Sequence, residues 1–362
     1  MRCFGGVLLG LVCLGGAAVC EPVPEETKSY GPAQAEVQLT VRGTTDIARF
    51  EQVLQIFVDR SDGVRIIYEQ WASNDLYLAT EADCRSNSVA ADLVVSSSID
   101  QQIKLANDGC AAPYRSEETA ELAAVSNWRD EVFGITWEPA VIVYNKNTID
   151  DAQAPRSRFD LIDLLRPEDS AFRRRVATYD IEVSGLGYLF AFADSQQATT
   201  FGRLIEAFGR SGAVATCCSA AIIDGVASGD YLIAYNVLGS YALARADENP
   251  DIVVVAPDDY TLVLARAALI PRHAAMPELA GEFIDFLLSG SGRSALRSAK
   301  LIVDTNEGVH AAMRLPENPE VSLRPIPLSL ALLVGLDQHK KREFISRWRE
   351  AFPKDRDRES AD

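Results

Sequence analysis

Histidine is scarce in this 362-residue chain, which contains only His273, His310 and His339, far apart in the sequence. A metal or catalytic centre built from several histidines is therefore not expected. Basic residues are also few, because 35 Lys and Arg face 52 Asp and Glu, for a formal charge of -17. Nucleic acids and anionic membrane surfaces bind through clustered cations, so this balance argues against either as the main partner.

Several motifs that carry enzyme chemistry are missing. Residues 184–187 read SGLG, which falls short of the G-x-G-x-x-G dinucleotide fingerprint, and there is no Walker loop, G-x-S-x-G or H-E-x-x-H. No Cys or His spacing typical of zinc occurs. We therefore predict a protein that is not an enzyme and holds no metal or cofactor. A secreted hydrolase using Ser97 or Ser184 is the disfavoured alternative, because no histidine lies near either serine in the sequence.

The N-terminus has the pattern of a secretory signal peptide. Residues 1–20 contain one arginine, then an apolar run, then small residues. The run is shorter than the roughly 18–20 residues that a membrane span needs. Cys20 offers an alternative, as the acyl acceptor of a lipoprotein. We therefore expect a periplasmic protein, with residues 21–35 as a flexible leader and residues 353–362 as a disordered tail.

Cysteine use fits export to an oxidising compartment. Beyond the leader the chain has four cysteines, Cys84, Cys110, Cys217 and Cys218, an even number that allows two disulfides. A bond between the adjacent Cys217 and Cys218 would close an eight-membered ring that strains the peptide. We therefore expect each of these two to bond elsewhere. Unpaired buried thiols are the alternative.

Strand and helix signals alternate along the chain, which predicts the α/β class with parallel strands. Ala140–Tyr144 is a continuous apolar run typical of a buried strand, and Pro277–Leu288 is an amphipathic helix with proline in its first turn. The chain length favours two lobes. The predicted strands are residues 37–42, 64–68, 92–96, 140–144, 176–179, 231–235, 252–256 and 262–264, and the predicted helices are residues 47–58, 101–107, 159–165, 187–193, 222–227, 277–288, 292–299 and 342–352.

Small hydroxyl residues and glycines follow several of these strands. Ligands of open α/β sheets bind beyond the carboxyl ends of the strands, so these loops are the candidate site. The N–H groups at a helix start, together with Ser and Thr hydroxyls, form a neutral cradle for an anion. An ordinary N-cap or tight turn is the alternative for any single loop. The strand-to-helix loops of this composition are residues 43–46, 96–100, 180–187 and 236–241.

Four segments resemble bacterial periplasmic solute-binding proteins of the iron(III) type, near the branch of the phosphoglycerate-transport regulatory proteins. The resemblance implies the two-lobed type II periplasmic-binding-protein fold, with a ligand cleft between the lobes and closure by a hinge. It implies a first lobe of residues 36–138 with 258–305, and a second lobe of residues 139–257 with 306–352. The segments are ADLVVSSSIDQQIKLANDGCA (91–111), WEPAVIVYNKNTID (137–150), SGDYLIAYNVLGSYALA (228–244) and PELAGEFIDFLLSGSGRSAL (277–296).

The chain departs from the iron-binding members where those have two adjacent tyrosines, because it reads Leu238-Gly239-Ser240-Tyr241 there. Fe(III) prefers hard anionic oxygen donors, whereas hydroxyl and N–H groups favour an anion. We therefore predict a monomer that captures a small organic or phosphorylated acid and delivers it to the permease of an ABC transporter. The alternatives are a ligand-sensing partner of a membrane histidine kinase and an iron(III)-complex binding protein. The ligand contacts implied by the resemblance are Thr44, Thr45, Ser97, Ser98, Ser184, Gly185, Tyr235, Asn236 and Tyr260.

Overall fold

The computed structural model describes residues 22–303, 313–316 and 322–352. Outside these ranges lie the predicted signal peptide of residues 1–20, with Cys20, and the predicted tail of residues 353–362. The described strands are β1 (Glu26–Tyr30), β2 (Val37–Gly43), β3 (Val64–Gln70), β4 (Leu93–Ser96), β5 (Ala111–Ala112), β6 (Asn127–Trp128), β7 (Val132–Gly134), β8 (Glu138–Asn145), β9 (Val176–Tyr179), β10 (Val214–Thr216), β11 (Ile233–Leu238), β12 (Ile252–Val255), β13 (Thr261–Leu264), β14 (Ala267–Pro271), β15 (Met313–Arg314) and β16 (Leu323–Pro325). The α-helices are α1 (Ile47–Val58), α2 (Ser73–Ser86), α3 (Ile99–Asn107), α4 (Glu117–Ala120), α5 (Arg158–Leu164), α6 (Gly185–Ser195), α7 (Ala198–Ser211), α8 (Ser219–Ser228), α9 (Gly239–Glu248), α10 (Pro277–Leu288), α11 (Gly290–Ser298), α12 (Leu333–Leu336) and α13 (Gln338–Ala351), and Leu330–Leu332 is a 3₁₀ turn.

The first sheet joins early strands to one late strand. Its order is β1-β3-β2-β4-β14-β7-β6, and β5 also pairs with β14. β2 is parallel to β3 and β4, whereas β14 is antiparallel to β4. The apolar face of α1 packs Phe50 and Phe57 against Phe283 of α10, and these rings belong to the core of the first lobe.

The second sheet has the order β10-β9-β11-β8-β12-β15, and β13 pairs with β8 and β16. β9 is parallel to β10 and β11, but β8 is antiparallel to β11, β12 and β13. The prediction of parallel strands is therefore right for part of each sheet and wrong for β8. Every residue of β8 is buried, so its sequence has no polar face from which the strand direction could be inferred.

The chain passes from the first sheet to the second between β7 and β8 and returns between β13 and β14, and after β14 it passes to the second sheet again at β15. At these crossings β13 and β8 pair antiparallel, with Leu264 opposite Glu138. Thr261–Leu264, which the sequence analysis placed in the first lobe, thus pairs with the second sheet. Two adjacent connections of this kind are the usual form of a hinge between lobes.

A strand lies within the segment that we expected to be a flexible leader. β1 pairs antiparallel with β3 along its whole length, at the edge of the first sheet. Of its five residues only Tyr30 is buried, so the sequence lacks the alternation that marks a half-buried strand. Backbone pairing, which has no signature in side-chain pattern, holds this segment.

The structure pairs Cys84 with Cys110 and Cys217 with Cys218. The expectation that Cys217 and Cys218 each bond elsewhere is therefore wrong. Cys84 near the end of α2 and Cys110 before β5 lie with their Cα atoms 5.4 Å apart, a distance that suits a disulfide. With Cys84 and Cys110 paired, Cys217 and Cys218 form the second disulfide with each other.

Removing the first disulfide with Cys84→Ala/Cys110→Ala should lower the free energy of unfolding by about 3 kcal/mol, because a bond that closes a loop of this order restricts the unfolded chain. The two cysteines are 26 residues apart in sequence. The matched control Cys217→Ala/Cys218→Ala opens no long loop and should cost little by this effect. Urea unfolding without reductant measures both variants, and equal losses would contradict the loop-entropy explanation.

Candidate ligand-binding cleft

A cavity of about 530 Å³ lies between the two lobes. This volume suits a small solute. Arg266, at the second crossing of the chain, contributes a cation to the wall. The first lobe contributes Glu25, Thr44, Asp46, Gln70, Trp71, Ala72, Ser73, Asn74, Asp75 and Ser97. The second lobe contributes Tyr179, Glu182, Val183, Ser184, Leu186, Cys217, Cys218, Ser219, Ala220, Leu238 and Tyr241.

Helices from both lobes begin at this cavity. A helix start presents unpaired N–H groups and the positive end of the helix dipole, so it favours negative charge nearby. The lining residues at or next to a helix start are Asp46 before α1, Ser73–Asp75 in the first turn of α2, Ser97 near α3, Ser184 before α6, Cys218 before α8 and Leu238 before α9.

Three residues predicted as ligand contacts line the cavity, namely Thr44, Ser97 and Ser184. The Ser97 N–H donates to Thr44 Oγ1 at 2.9 Å, and the two hydroxyl oxygens are 3.1 Å apart. These loops meet because β2 and β4 are neighbours in the first sheet. Ser184 caps α6 by accepting the Gly187 N–H at 3.0 Å. Whether these groups touch ligand stays a prediction.

Three more predicted contacts lie just behind the cavity wall. Thr45 and Ser98 are buried, and their hydroxyls have no hydrogen-bond partner among the described residues. The Thr45 carbonyl accepts the Tyr68 hydroxyl at 2.6 Å. The Gly185 N–H donates to Ser73 Oγ at 2.9 Å, which is a contact between the lobes.

Tyr235, Asn236 and Tyr260 are not brought to the cleft. All three hydrogen-bond to the buried carboxylate of Asp194, at 2.6 Å, 3.2 Å and 3.0 Å respectively. Arg158 forms a buried ion pair with the same carboxylate at 2.9 Å. Asn236 has φ 61°, and the register of β11 against β8 shifts around it. This bulge brings the adjacent side chains of Tyr235 and Asn236 to the same carboxylate, although strict strand alternation would separate them. Tyr260 reaches it from the residue before β13, so the three residues stabilise the interior of the second lobe.

The lobes contact each other beside the cavity. Asn74 Nδ2 donates to the carbonyl oxygens of Val183 at 3.0 Å and Glu182 at 3.3 Å. The Tyr241 hydroxyl donates to Asp46 Oδ1 at 2.8 Å. The first turn of α2 and the start of α1 therefore hold the second lobe across the cleft.

A buried ion pair lies at the crossings behind the cavity. Arg266 Nε donates to Glu138 Oε1 at 2.8 Å, and Thr136 donates to the same oxygen at 2.8 Å. Ser240 of the second lobe donates to the other carboxylate oxygen, and Arg266 reaches the Thr44 carbonyl at 3.3 Å. Burial alone would lower the pKa of Arg266, but the Glu138 carboxylate raises it above its ordinary value, so the guanidinium stays charged.

Sequence reasoning missed the lining residues Ser73–Asp75 and Cys217–Ser219. The rule that found Thr44 applies to both segments, because each follows a strand and opens a helix. The sequence analysis predicted neither α2 nor β10, so it never reached these loops. Arg266 carries no such signal, since it lies between two strands and reaches the cavity only through the crossing.

The cleft presents neutral phenols. Burial raises the pKa of Tyr179 and of Tyr241 well above the ordinary tyrosine value, so both hydroxyls stay protonated. In the described part of the chain, no group of three or more His, Cys, Asp or Glu is arranged to hold a metal ion. Within the same residues, no helix combines the length and apolar character that a membrane crossing requires.

The contribution of Asp100 to the stability of the folded state should fall as pH rises from about 4 to 7. This residue is 3% exposed, and burial raises its pKa to about 7 from 3.8. The folded state binds the proton more tightly than the unfolded state, so the neutral carboxyl favours folding at low pH and the charged form opposes it above pH 7. Asp100→Asn should therefore be more stable than the wild type at pH 8, with no advantage at pH 4. Thermal unfolding at both values measures this, with the exposed Asp62→Asn as control, and a pH-independent difference would contradict it.

Comparison with known proteins defines the class. A family model of bacterial extracellular solute-binding proteins matches residues 88–325, more than half of the chain. The substrate-binding protein of an ABC transporter from Agrobacterium tumefaciens is 31% identical, with a TM-score of 0.82 over 90% of this chain and 98% of that one. No curated protein sequence matches the chain.

More distant structures share the fold. The periplasmic binding protein AfuA from Actinobacillus pleuropneumoniae, in a structure with exogenous fructose-6-phosphate bound, is 16% identical, with a TM-score of 0.68 over 88% of this chain and 99% of that one. A periplasmic thiamin-binding protein is also 16% identical, with a TM-score of 0.68 over 92% of this chain and 99% of that one.

The chain belongs to the family of bacterial extracellular solute-binding proteins. It is a solute-binding protein of the ABC-transporter type, and the predicted two-lobed α/β fold is confirmed. Proteins of this family and its neighbours act in transport and are not enzymes, as expected from the sequence.

Proposed function

We propose that the protein works in the periplasm. There it captures a small solute with an anionic group, an organic or phosphorylated acid, and delivers this solute to the permease of an ABC transporter. The convergence of helix starts from both lobes on one cavity supports the proposal most directly. Such N–H groups bind carboxylate or phosphate oxygens without a matching cluster of cations. This explains how an acidic protein accommodates an anion.

The hydroxyls of Thr44 and Ser97 complete this anion subsite, and the buried Arg266 supports it from behind through the Thr44 carbonyl. The cleft suits iron(III) less well than an anion. To bind the metal as phenolates, Tyr179 and Tyr241 would have to lose their protons, and burial raises the pKa of both hydroxyls. Loaded protein signalling to a histidine kinase remains a prediction from the sequence that awaits a test in cells.

Thermal-shift screening tests the proposal with organic acids, phosphate esters, polyamines and Fe(III). An anionic probe in excess should raise Tm, by the free energy RT ln(1 + [L]/Kd). The rise in Tm that the probe causes should be smaller in Ser97→Ala than in the wild type. The control Ser298→Ala removes an exposed hydroxyl on α11 and should behave as the wild type. A rise in Tm with Fe(III) or polyamines and with none of the anionic probes would contradict the proposal that the solute is an anion.

A further inference from the structure

The charge around the cleft is unbalanced for a simple anion. Four acidic side chains line the cavity, Glu25, Asp46, Asp75 and Glu182, against the single arginine Arg266. That arginine is already paired with Glu138. A solute that carried only negative charge would be attracted by the helix starts but repelled by any carboxylate left uncompensated.

Three of the four acids have protein partners. Asp46 accepts the Tyr241 hydroxyl at 2.8 Å, and Glu25 accepts Gln70 Nε2 at 3.2 Å. Glu182 pairs with Arg349 at 2.6 Å.

Asp75 differs from these three acids. No hydrogen bond or ion pair joins its carboxylate to another side chain among the described residues, and it is only half-exposed in the cavity wall. It lies in the first turn of α2, where the helix dipole favours its negative charge.

The position of Asp75 is tied to the contact between the lobes. Its neighbours Ser73 and Asn74 bond to the backbone of Gly185 and Val183 in the second lobe. The same turn of α2 that joins the lobes therefore also places Asp75 in the wall of the cavity.

We infer that the solute is a zwitterion, whose cationic nitrogen binds Asp75 while its acidic group binds the helix starts and the hydroxyls of Thr44 and Ser97. This inference rests on the proposed function, which gives the solute an anionic group, and adds a cationic nitrogen to the same solute. Asp75 is then the residue that selects amine-bearing acids over the same acids without an amine, because a carboxylate facing an ammonium forms a charge-assisted hydrogen bond.

Matched probe pairs test the inference by calorimetric titration. The pairs are O-phosphoethanolamine with ethyl phosphate, and β-alanine with propanoate. The wild type should bind the amine-bearing member of a pair at least about tenfold more tightly, the effect of one such hydrogen bond. Asp75→Asn should abolish this preference while leaving the affinity for the simple acid unchanged or higher. Glu278→Gln, which removes an acid from the first turn of α10 outside the cavity, should keep the preference.

The outcomes separate the two claims. Equal binding of both members of a pair by the wild type, or a preference that survives Asp75→Asn, would overturn the zwitterion and leave the anion proposal standing. Binding of ethylamine as tight as that of the zwitterions would overturn the anion proposal instead. Failure of every probe to bind would count against both.

Discussion

Glu138→Gln should lower the free energy of unfolding by about 3–5 kcal/mol, because it leaves a buried arginine without its counter-ion. Arg266 is 1% exposed and Glu138 is 0% exposed, so water cannot replace the lost charge. The glutamine keeps the shape of the side chain and isolates the effect of charge. Urea unfolding of the ligand-free protein gives the measurement.

The double variant Glu138→Gln/Arg266→Met is the control for this pair. It removes both charges, so it should recover much of the lost stability, since a matched apolar replacement of a buried ion pair is often neutral. A loss in Glu138→Gln below about 1 kcal/mol, the range of surface pairs, would mean that the pair is not shielded as the structure indicates.

Gly185→Val should weaken ligand binding by roughly two to three orders of magnitude, or about 3–4 kcal/mol. A Cβ atom at this position would lie 2.5 Å from Ser98 Oγ and 2.9 Å from Gln101 Nε2, both in the opposite lobe. The side chain would thus push the lobes apart and remove the hydrogen bond between Gly185 and Ser73. Calorimetry with the best probe of the thermal-shift screen measures the affinity.

The stability of the ligand-free protein distinguishes this effect from misfolding. The free energy of unfolding of Gly185→Val should fall by less than the free energy of binding, because the substitution disturbs only the apolar cluster that the two lobes share and leaves the separate core of each lobe intact. Small-angle scattering should show a larger radius of gyration with ligand present than for the wild type. Gly202→Val, at an open position on α7, is the matched control. Unchanged affinity in Gly185→Val would show that contact between the lobes is not needed for binding.

Local patterns predicted much of the fold. The helices predicted at 47–58 and 277–288 agree residue for residue with α1 and α10, and the strand at 176–179 agrees with β9. These elements have strong apolar periodicity, which local sequence records directly. The edge strand β1 was missed because it is held by backbone pairing and buries almost no apolar side chain.

The residues of the candidate site also separate into those that local sequence predicted correctly and those that it did not. Thr44, Ser97 and Ser184 line the cleft because they follow strands that end at it, which is a local rule. Tyr235 and Asn236 were predicted by the same rule, but a bulge in β11 directs them to Asp194. Arg266 reaches the cavity through the second crossing, which the sequence analysis placed between residues 257 and 258, before β13. Asp75 reaches it through α2, which the sequence analysis did not predict.

The sequence alone determined the α/β class, the strong apolar elements and the hydroxyl-rich loops, because each depends on residues close together in the chain. Only the tertiary structure decided which strands are neighbours, how the cysteines pair and which charges face the solute. These features depend on contacts between residues far apart in sequence, such as Glu138 with Arg266 and Ser73 with Gly185. No local pattern records such contacts, because many partners satisfy the same side chain until packing selects one.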